Sequence, residues 1–461
     1  MIPDPVLKEL SHIVGPQHLT TQQAHLEVHA TDATKLTFMP DAVAFPGSGE
    51  EISHILLLAN KKMFPVIPRG AGSGKSGGAL PVKGGLVLSM ERLNRILDID
   101  EQNLIATVEP GVITSHLQER VEKLGLFYPP DPASIHISTI GGNVAECAGG
   151  LRAVKYGVTR DYVLGMTVVL PTGEIINTGV KTAKGVVGYD LTRLIVGSEG
   201  TLAVLVSVTL RLIPKPPTKR TMMVFFRTVP LAVQTVSDII RNKVVPTAME
   251  FMDHLSIDCV REDIGIPIPP DARALLLIEV DGEEMLTQLE AEKVEAICLR
   301  AGAIRFQAAS GEEESERLWE VRRNVSDSIF KLKPDKVSED IVVPRSRMAT
   351  LVSALDQMGQ KYRLPIPAFG HAGDGNIHVN IMFDKSIPAE AKAVEDVVSE
   401  LFGKVIELGG TLSGEHGVGL TKAPYLEMEV SKPALQLMAR LKKAFDPQGI
   451  LNPGKIFTGD L

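Results

Sequence analysis

A glycine-dominated run, Pro68-Arg69-Gly70-Ala71-Gly72-Ser73-Gly74-Lys75-Ser76-Gly77-Gly78, follows directly on a short apolar segment at residues 65–67. Such a run is unsuited to the interior of a helix or strand, where each glycine costs roughly 0.5–1 kcal/mol relative to alanine. It has to be a loop, and its bare backbone can bring N–H groups close to a bound anion. Gly74-Lys75-Ser76 invites comparison with the end of a nucleotide-binding P-loop. That motif needs glycine five positions before Gly74, where Arg69 stands. Gly77-Gly78-Ala79-Leu80-Pro81 is also a poor start for the helix that must follow. No amphipathic helix opens at the last glycine, so the dinucleotide fingerprint of a Rossmann fold fits badly too.

The pattern returns downstream. Pro129-Pro130-Asp131-Pro132, Thr139-Ile140-Gly141-Gly142-Asn143 and Ala148-Gly149-Gly150 again combine turns with residues that admit close backbone approach. Several such segments in one region suggest a large, flat, phosphate-bearing cofactor. At 461 residues the chain exceeds one core and should divide into two or three domains. A net charge of −8 leaves no basic footprint for nucleic acid. No stretch approaches the ~20 apolar residues that span a bilayer, and no signal peptide is evident at Met1-Ile2-Pro3-Asp4-Pro5. Cys147, Cys259 and Cys298 are far apart, which excludes a disulfide framework or an iron–sulfur motif. A reduced, cytoplasmic setting is expected, with any attachment to the inner face of a membrane made through a partner.

Strand and helix signals alternate through residues 1–216. Ser48-Gly49-Glu50-Glu51 is a capping-box start, and Ile52, Ile55, Leu56, Ala59 and Met63 continue at helical spacing. Residues 65–67, 86–89, 104–108, 163–170 and 202–212 read as strands. Pro214-Lys215-Pro216-Pro217 marks a boundary, because proline neither donates to a ladder nor sits in a helix interior. Beyond it, strands are expected at 222–226, 274–280, 304–308 and 338–343, and helices at 231–241, 283–300, 312–330 and 347–362. A hairpin at 368–383 completes an antiparallel sheet covered by helices. Helices at about 389–408 and 432–445 lead to the C-terminal tail. The fold class is α+β, with domains at 1–216 and 217–415 and a segment 416–461 returning to the first.

His371-Ala372-Gly373-Asp374-Gly375-Asn376-Ile377-His378 places two imidazoles around a Gly-Asp-Gly turn, and Gly414-Glu415-His416-Gly417 adds a carboxylate and a third imidazole. Two histidines and a glutamate form a three-ligand set for a divalent cation, with Zn²⁺, Mn²⁺ and Fe²⁺ all admissible. Asp374 is expected in the turn. His416 is then available to move a proton.

Taken in order, residues 69–78, 130–150, Tyr156-Gly157, Gly188-Tyr189-Asp190-Leu191, Gly197-Ser198-Glu199-Gly200-Thr201-Leu202, the two histidine-bearing segments and Asn452-Pro453-Gly454-Lys455 resemble one family over nearly the whole chain. The chain resembles the FAD-dependent D-2-hydroxyacid dehydrogenases and glycolate oxidase flavin subunits, on the vanillyl-alcohol-oxidase (PCMH-type) FAD fold with an antiparallel-sheet cap. The resemblance implies FAD held by Arg69, Gly70, Ala71, Gly72, Ser73, Gly74, Ser76 and Gly77 of the first loop. It adds Pro130, Asp131, Thr139, Gly141, Gly142, Asn143, Cys147, Gly149 and Gly150 of the second segment. Tyr156, Gly157, Glu199, Gly200, Val204 and Asn452 complete the implied set. No histidine lies between Arg69 and Gly85, so non-covalent FAD is implied.

The resemblance further assigns the metal to His371, His378 and Glu415, a substrate-carboxylate role to Arg322, and a substrate-contacting amide to Asn380. His416 is read as the base that takes the hydroxyl proton of a metal-bound small D-2-hydroxy acid, the C2 hydride passing to flavin N5 and leaving a 2-keto acid. Relatives acting on five-carbon dicarboxylates carry a second substrate cation where this chain has Ser338, with Lys336 two residues earlier. That favours D-lactate, then glycolate, over the D-2-hydroxyglutarate-type alternative. Electrons must leave to a separate acceptor, such as an electron-transferring flavoprotein, an iron–sulfur subunit or quinone. A homodimer is admissible. A non-redox FAD transferase resembling the alkyl-ether-lipid synthases is the other alternative, although no aromatic-rich apolar segment suggests a lipid tunnel.

Overall fold

The computed structural model describes residues 1–182 and 184–457, which divide into two compact units. One comprises Met1–Gly150, Val158–Lys215 and Glu415–Leu461; the other comprises Leu151–Gly157 and Pro216–Gly414. The first unit builds a four-stranded sheet in which Val66–Arg69 and Ala42–Ala44 both pair in parallel with Leu86–Ser89. Helix Gly49–Lys62 covers it, starting where the sequence predicts. Ser48 Oγ accepts from the Glu51 amide, and the Glu51 carboxylate accepts from the Gly47 amide. Of the predicted face, Ile52, Ile55, Leu56 and Ala59 are fully buried there with Leu10 and Val66, whereas Met63 is the left-handed C-cap and is exposed. A separate five-stranded antiparallel sheet includes Ile105–Val108, Val163–Val169 and Val204–Arg211. Helices Asp4–Val14, Gln23–His29 and Thr114–Glu122 were not predicted. The last two are only two turns long, too brief for a 3.6-residue period to declare itself.

The second unit is organised on a seven-stranded, wholly antiparallel sheet. Its strands are labelled here within the unit: β1 Thr218–Phe226, β2 Ala248–Asp253, β3 Ala274–Gly282, β4 Arg305–Ala308, β5 Asp335–Val342, β6 Ala368–His371 and β7 Asn376–Phe383. The order across the sheet is β4-β1-β3-β2-β6-β7-β5. Strand β2 is absent from the sequence prediction although it is the middle strand of the seven. All six of its residues are buried, so Ala-Met-Glu-Phe-Met-Asp shows no apolar–polar alternation to read. Helices α1 Val229–Arg241, α2 His254–Val260, α3 Glu284–Arg300, α4 Glu312–Ser328, α5 Met348–Tyr362 and α6 Pro388–Glu407 cover the sheet. Leu318, Trp319, Val321 and Val325 of α4 pack with Met223, Phe225, Leu275, Leu277 and Phe369. At ~25 cal/mol per Å² of apolar surface removed from water, this core is the main stabilising term of the unit.

Candidate active site

Strand register decides which side chains share the α4 face of the sheet. Opposed residues point the same way and alternate residues repeat the direction. Glu250 of β2 pairs with His371 of β6, Phe369 of β6 pairs with His378 of β7, and Asp340 and Ser338 of β5 pair with His378 and Asn380 of β7. Glu250, His371, His378, Asn380, Asp340 and Ser338 therefore stand on one face. The hairpin closes the His371–His378 ring centroids to 5.1 Å, nearly perpendicular. A turn glycine permits this. Gly375 has φ +90°, and a Cβ there would meet Val343 O at 2.1 Å.

Two carboxylates that the sequence reading did not single out hold these histidines. Glu250 is fully buried; His371 Nδ1–H donates to its Oε1 at 2.6 Å, and Arg322 Nε–H donates to its Oε2 at 2.6 Å. Burial by itself would raise the Glu250 carboxyl, but the charges and hydrogen bonds of His371 and Arg322 outweigh it and bring it down to about 2. With Nδ1 of His371 protonated toward Glu250, Nε2 carries the lone pair a metal takes. Asp340, also buried, stands 3.6 Å from His378 Nδ1. It accepts from Asn376 Nδ2 at 2.6 Å and from the Gly414 amide at 2.9 Å. The only signal for Glu250 lay in a buried strand with no period, and for Asp340 in register, which local sequence does not display.

Arg322 projects from α4, its guanidinium carbon 4.8 Å from the Phe369 ring centroid. Glu250 engages Nε, which leaves the two terminal amino groups as the fork that suits a carboxylate. Asn380 is buried. Its Oδ1 accepts from Ser338 Oγ at 3.0 Å, and its amide donates to the His378 carbonyl at 3.1 Å. Lys336 Nζ reaches Ser326 Oγ at 3.4 Å and lies 5.1 Å from the Phe330 ring centroid. Asp374 caps its own turn, accepting from the Asn376 amide at 3.2 Å. Tyr156 and Gly157 belong to this second unit, where the Tyr156 hydroxyl donates to Asp281 at 2.9 Å.

Glu415 and His416 open the segment that returns to the first unit, with His416 Nε2 3.9 Å from Glu415 Oε1. Gly149 makes room for Glu415: a Cβ at Gly149 would lie 3.0 Å from its Oε2. Glu199 holds the next turn. Its carboxylate accepts from the amides of Val418 at 2.8 Å and Gly419 at 2.6 Å. Asn452 donates to the carbonyls of Gly78 at 2.9 Å and Glu199 at 2.8 Å. Both side chains thus brace the loops around them.

Within the first unit the two glycine segments lie against each other. A Cβ at Gly70 would meet Thr139 Oγ1 at 2.4 Å, and one at Gly78 would meet Glu146 Oε1 at 2.8 Å. Thr139 caps the helix Ile140–Glu146 by accepting from the Gly142 amide at 3.2 Å. Arg69 folds beneath its loop onto the Thr31 carbonyl at 2.7 Å. Ala71 is exposed and Ser73 and Gly74 half-buried, while Gly77, with φ +84°, packs on Leu420. Asn143 donates to Thr114 at 2.8 Å, Pro130 O accepts from Gln118 at 2.9 Å, and Gly150 packs on Asp131. Cys147 takes the left-handed cap at φ 55°, its sulfur accepting from Arg160 Nε at 3.2 Å. Gly200 has φ +66° beside Pro68 and Asn452, and Val204 pairs with Val169. Ser76 Oγ, Arg69 Nη1 and Glu146 Oε2 are buried polar atoms with no hydrogen-bond partner among the described residues. Glycine loops with unmet buried donors at Ser76 and Arg69 fit a phosphate-bearing cofactor, whose oxygens would accept from them.

The chain matches the family of FAD linked oxidases, C-terminal domain, over residues 215–456, and an FAD binding domain over residues 40–179. The chain belongs to the FAD-linked oxidases. Within them it is similar to the glycolate oxidase subunit GlcD of Bacillus subtilis, 48% identical over 100% of this chain and 98% of the relative. A D-lactate dehydrogenase of Anaerostipes hadrus is 36% identical over 90% of this chain and 89% of that one. These place it among the D-2-hydroxyacid dehydrogenase and glycolate oxidase flavoproteins, as the motifs imply. The fold is that of p-cresol methylhydroxylase, with TM-score 0.83 and 18% identity over 99% of this chain and 98% of that one. FAD-linked oxidases of this family are oxidoreductases, and so is this protein. Among the described residues no helix is long and apolar enough to cross a membrane.

Proposed function

We propose that the protein oxidises a small D-2-hydroxy acid, D-lactate first and glycolate next, to the corresponding 2-keto acid. The observation that carries this reading is the pairing of a forked cation, Arg322, with a two-histidine hairpin through one buried carboxylate. When bound, FAD supplies a two-electron acceptor and a divalent cation at His371, His378 and Glu415 supplies a Lewis acid for the substrate oxygen. Zn²⁺, Mn²⁺ and Fe²⁺ all suit that donor set.

The terminal amino groups of Arg322 hold the substrate carboxylate bidentately, and the Asn380 amide contributes to the polar face on which it rests. His416 accepts the hydroxyl proton, a task matched to an imidazole whose ordinary pKa is about 6.5. Loss of that proton and of the C2 hydrogen with its electron pair leaves the keto acid. The electrons then leave for an acceptor outside the chain, such as an electron-transferring flavoprotein, an iron–sulfur subunit or quinone. The preference for a monocarboxylate is supported by Lys336 turning toward Ser326 and Phe330, and by Ser338 being engaged by Asn380.

The test is the flavin absorbance of metal-replete protein on anaerobic addition of D-lactate, glycolate and L-lactate. Bleaching by D-lactate or glycolate, with L-lactate inert, is expected. A spectrum unchanged by all three would overturn the assignment and favour a transferase that uses FAD without net oxidation.

A further inference from the structure

Glu250 occupies an unusual position: a fully buried carboxylate on a central strand, with each oxygen taken by a different functional side chain. Oε1 takes Nδ1 of His371 and Oε2 takes Nε of Arg322, both at 2.6 Å. Neither partner is a neighbour of Glu250 in sequence; they lie on β6 and α4. The rigidity of the bridge follows from its base. β2 lies between β3 and β6 in the sheet, and Phe251 and Met252 beside Glu250 are themselves fully buried.

We propose that Glu250 is a positioning residue that couples the cation donor His371 to the substrate-carboxylate clamp Arg322, so that the two are oriented as one unit. This rests on the metal and carboxylate roles proposed above for those two residues. The bridge presents Nε2 of His371 for coordination and turns the terminal amino groups of Arg322 outward as a fork. Losing Glu250 releases both at once: the imidazole regains its other tautomer, and the guanidinium regains its side-chain freedom. A buried acid that served only the fold would not link these two binding functions.

The experiment uses FAD-loaded protein stripped of metal by chelation. Mn²⁺ titration reads the His371 side, and propionate, which has the carboxylate but no hydroxyl to oxidise, reads the Arg322 side through the flavin spectrum. In Glu250→Gln, Mn²⁺ affinity is expected to fall about 10–100-fold, the range typical for removing an outer partner of a ligating histidine. Propionate affinity falls in the same variant, with flavin content unchanged. Glu250→Asp restores part of one function but is too short to span both.

Arg322→Lys guards against a Glu250 variant that fails to fold. It keeps the positive charge but lacks the Nε geometry, so a several-fold loss of Mn²⁺ affinity is expected although Arg322 is no metal donor. Unchanged Mn²⁺ affinity in Arg322→Lys, or a Glu250→Gln protein in which only one of the two affinities moves, overturns the coupling. So does wild-type protein that takes up no Mn²⁺. Wild-type protein that binds both probes yet is bleached by neither D-lactate nor glycolate overturns the reaction and leaves the coupling standing.

Discussion

His416 and Glu250 show how differently two residues of one site announce themselves. His416 sits between Glu415 and Gly417, in a segment whose glycines have no structural reason to cluster unless the backbone must pass close to something. That closeness is visible: a Cβ at Gly417 would meet Glu146 Oε2 at 2.2 Å. Replacing His416 with alanine should leave FAD bound, since the side chain belongs to neither glycine loop. Flavin reduction by D-lactate should slow by about 10²–10⁴-fold, the range for loss of a general base. Stopped-flow absorbance under nitrogen measures it, and near-normal reduction would remove His416 from the proton-transfer role. Glu250 gave no such signal, because a glutamate within Met-Glu-Phe-Met has no turn, spacing or periodicity to mark it.

At the scale of elements, the hairpin of β6 and β7 is the device that converts a sequence spacing of seven into neighbouring imidazoles. Its turn depends on Gly375, held at φ +90° with the Val343 carbonyl where a side chain would go. Gly375→Ala should cost about 1–3 kcal/mol from the backbone conformation, with the close contact adding to it. The thermal midpoint of this unit should fall by several degrees, at roughly 2–4 °C per kcal/mol. Metal affinity should fall with it, as the His378 ring shifts relative to His371. Scanning calorimetry together with a Mn²⁺ titration checks both, and a midpoint within a degree of wild type would show that the turn relaxes freely.

Strand prediction succeeded where an apolar run is continuous, as in Leu86–Ser89, wholly buried, and Ala274–Gly282, buried but for its last residue, and failed where acidic residues break the run. Helix Gly49–Lys62 shows its cap and most of its stripe in the sequence. β2 shows nothing, since Glu250 and Asp253 interrupt its apolar residues.

Across the whole molecule, the glycine loops and the two-histidine hairpin belong to different compact units. FAD retention and metal retention should therefore separate experimentally. Chelation should strip the cation, abolish flavin reduction by substrate and leave the flavin-to-protein ratio unchanged. Adding back single divalent ions then identifies the one that restores reduction. Loss of flavin together with the metal would mean that the cation also maintains the FAD cradle.

Motif chemistry is local, so the sequence by itself determined a good deal: the glycine segments, the two histidine-bearing segments, the proline-marked boundary near 214–217 and the resemblance to FAD-linked oxidases. Those features depend on residues a few positions apart, where backbone freedom, proline geometry and imidazole spacing act directly. The tertiary structure alone decided which charged groups stand behind the site. Glu250 reaches His371 across 121 positions of chain and Arg322 across 72, and only strand register and helix docking bring them within hydrogen-bonding range. Long-range pairing of this kind is set by burial of the whole sheet face, and no window of sequence contains it.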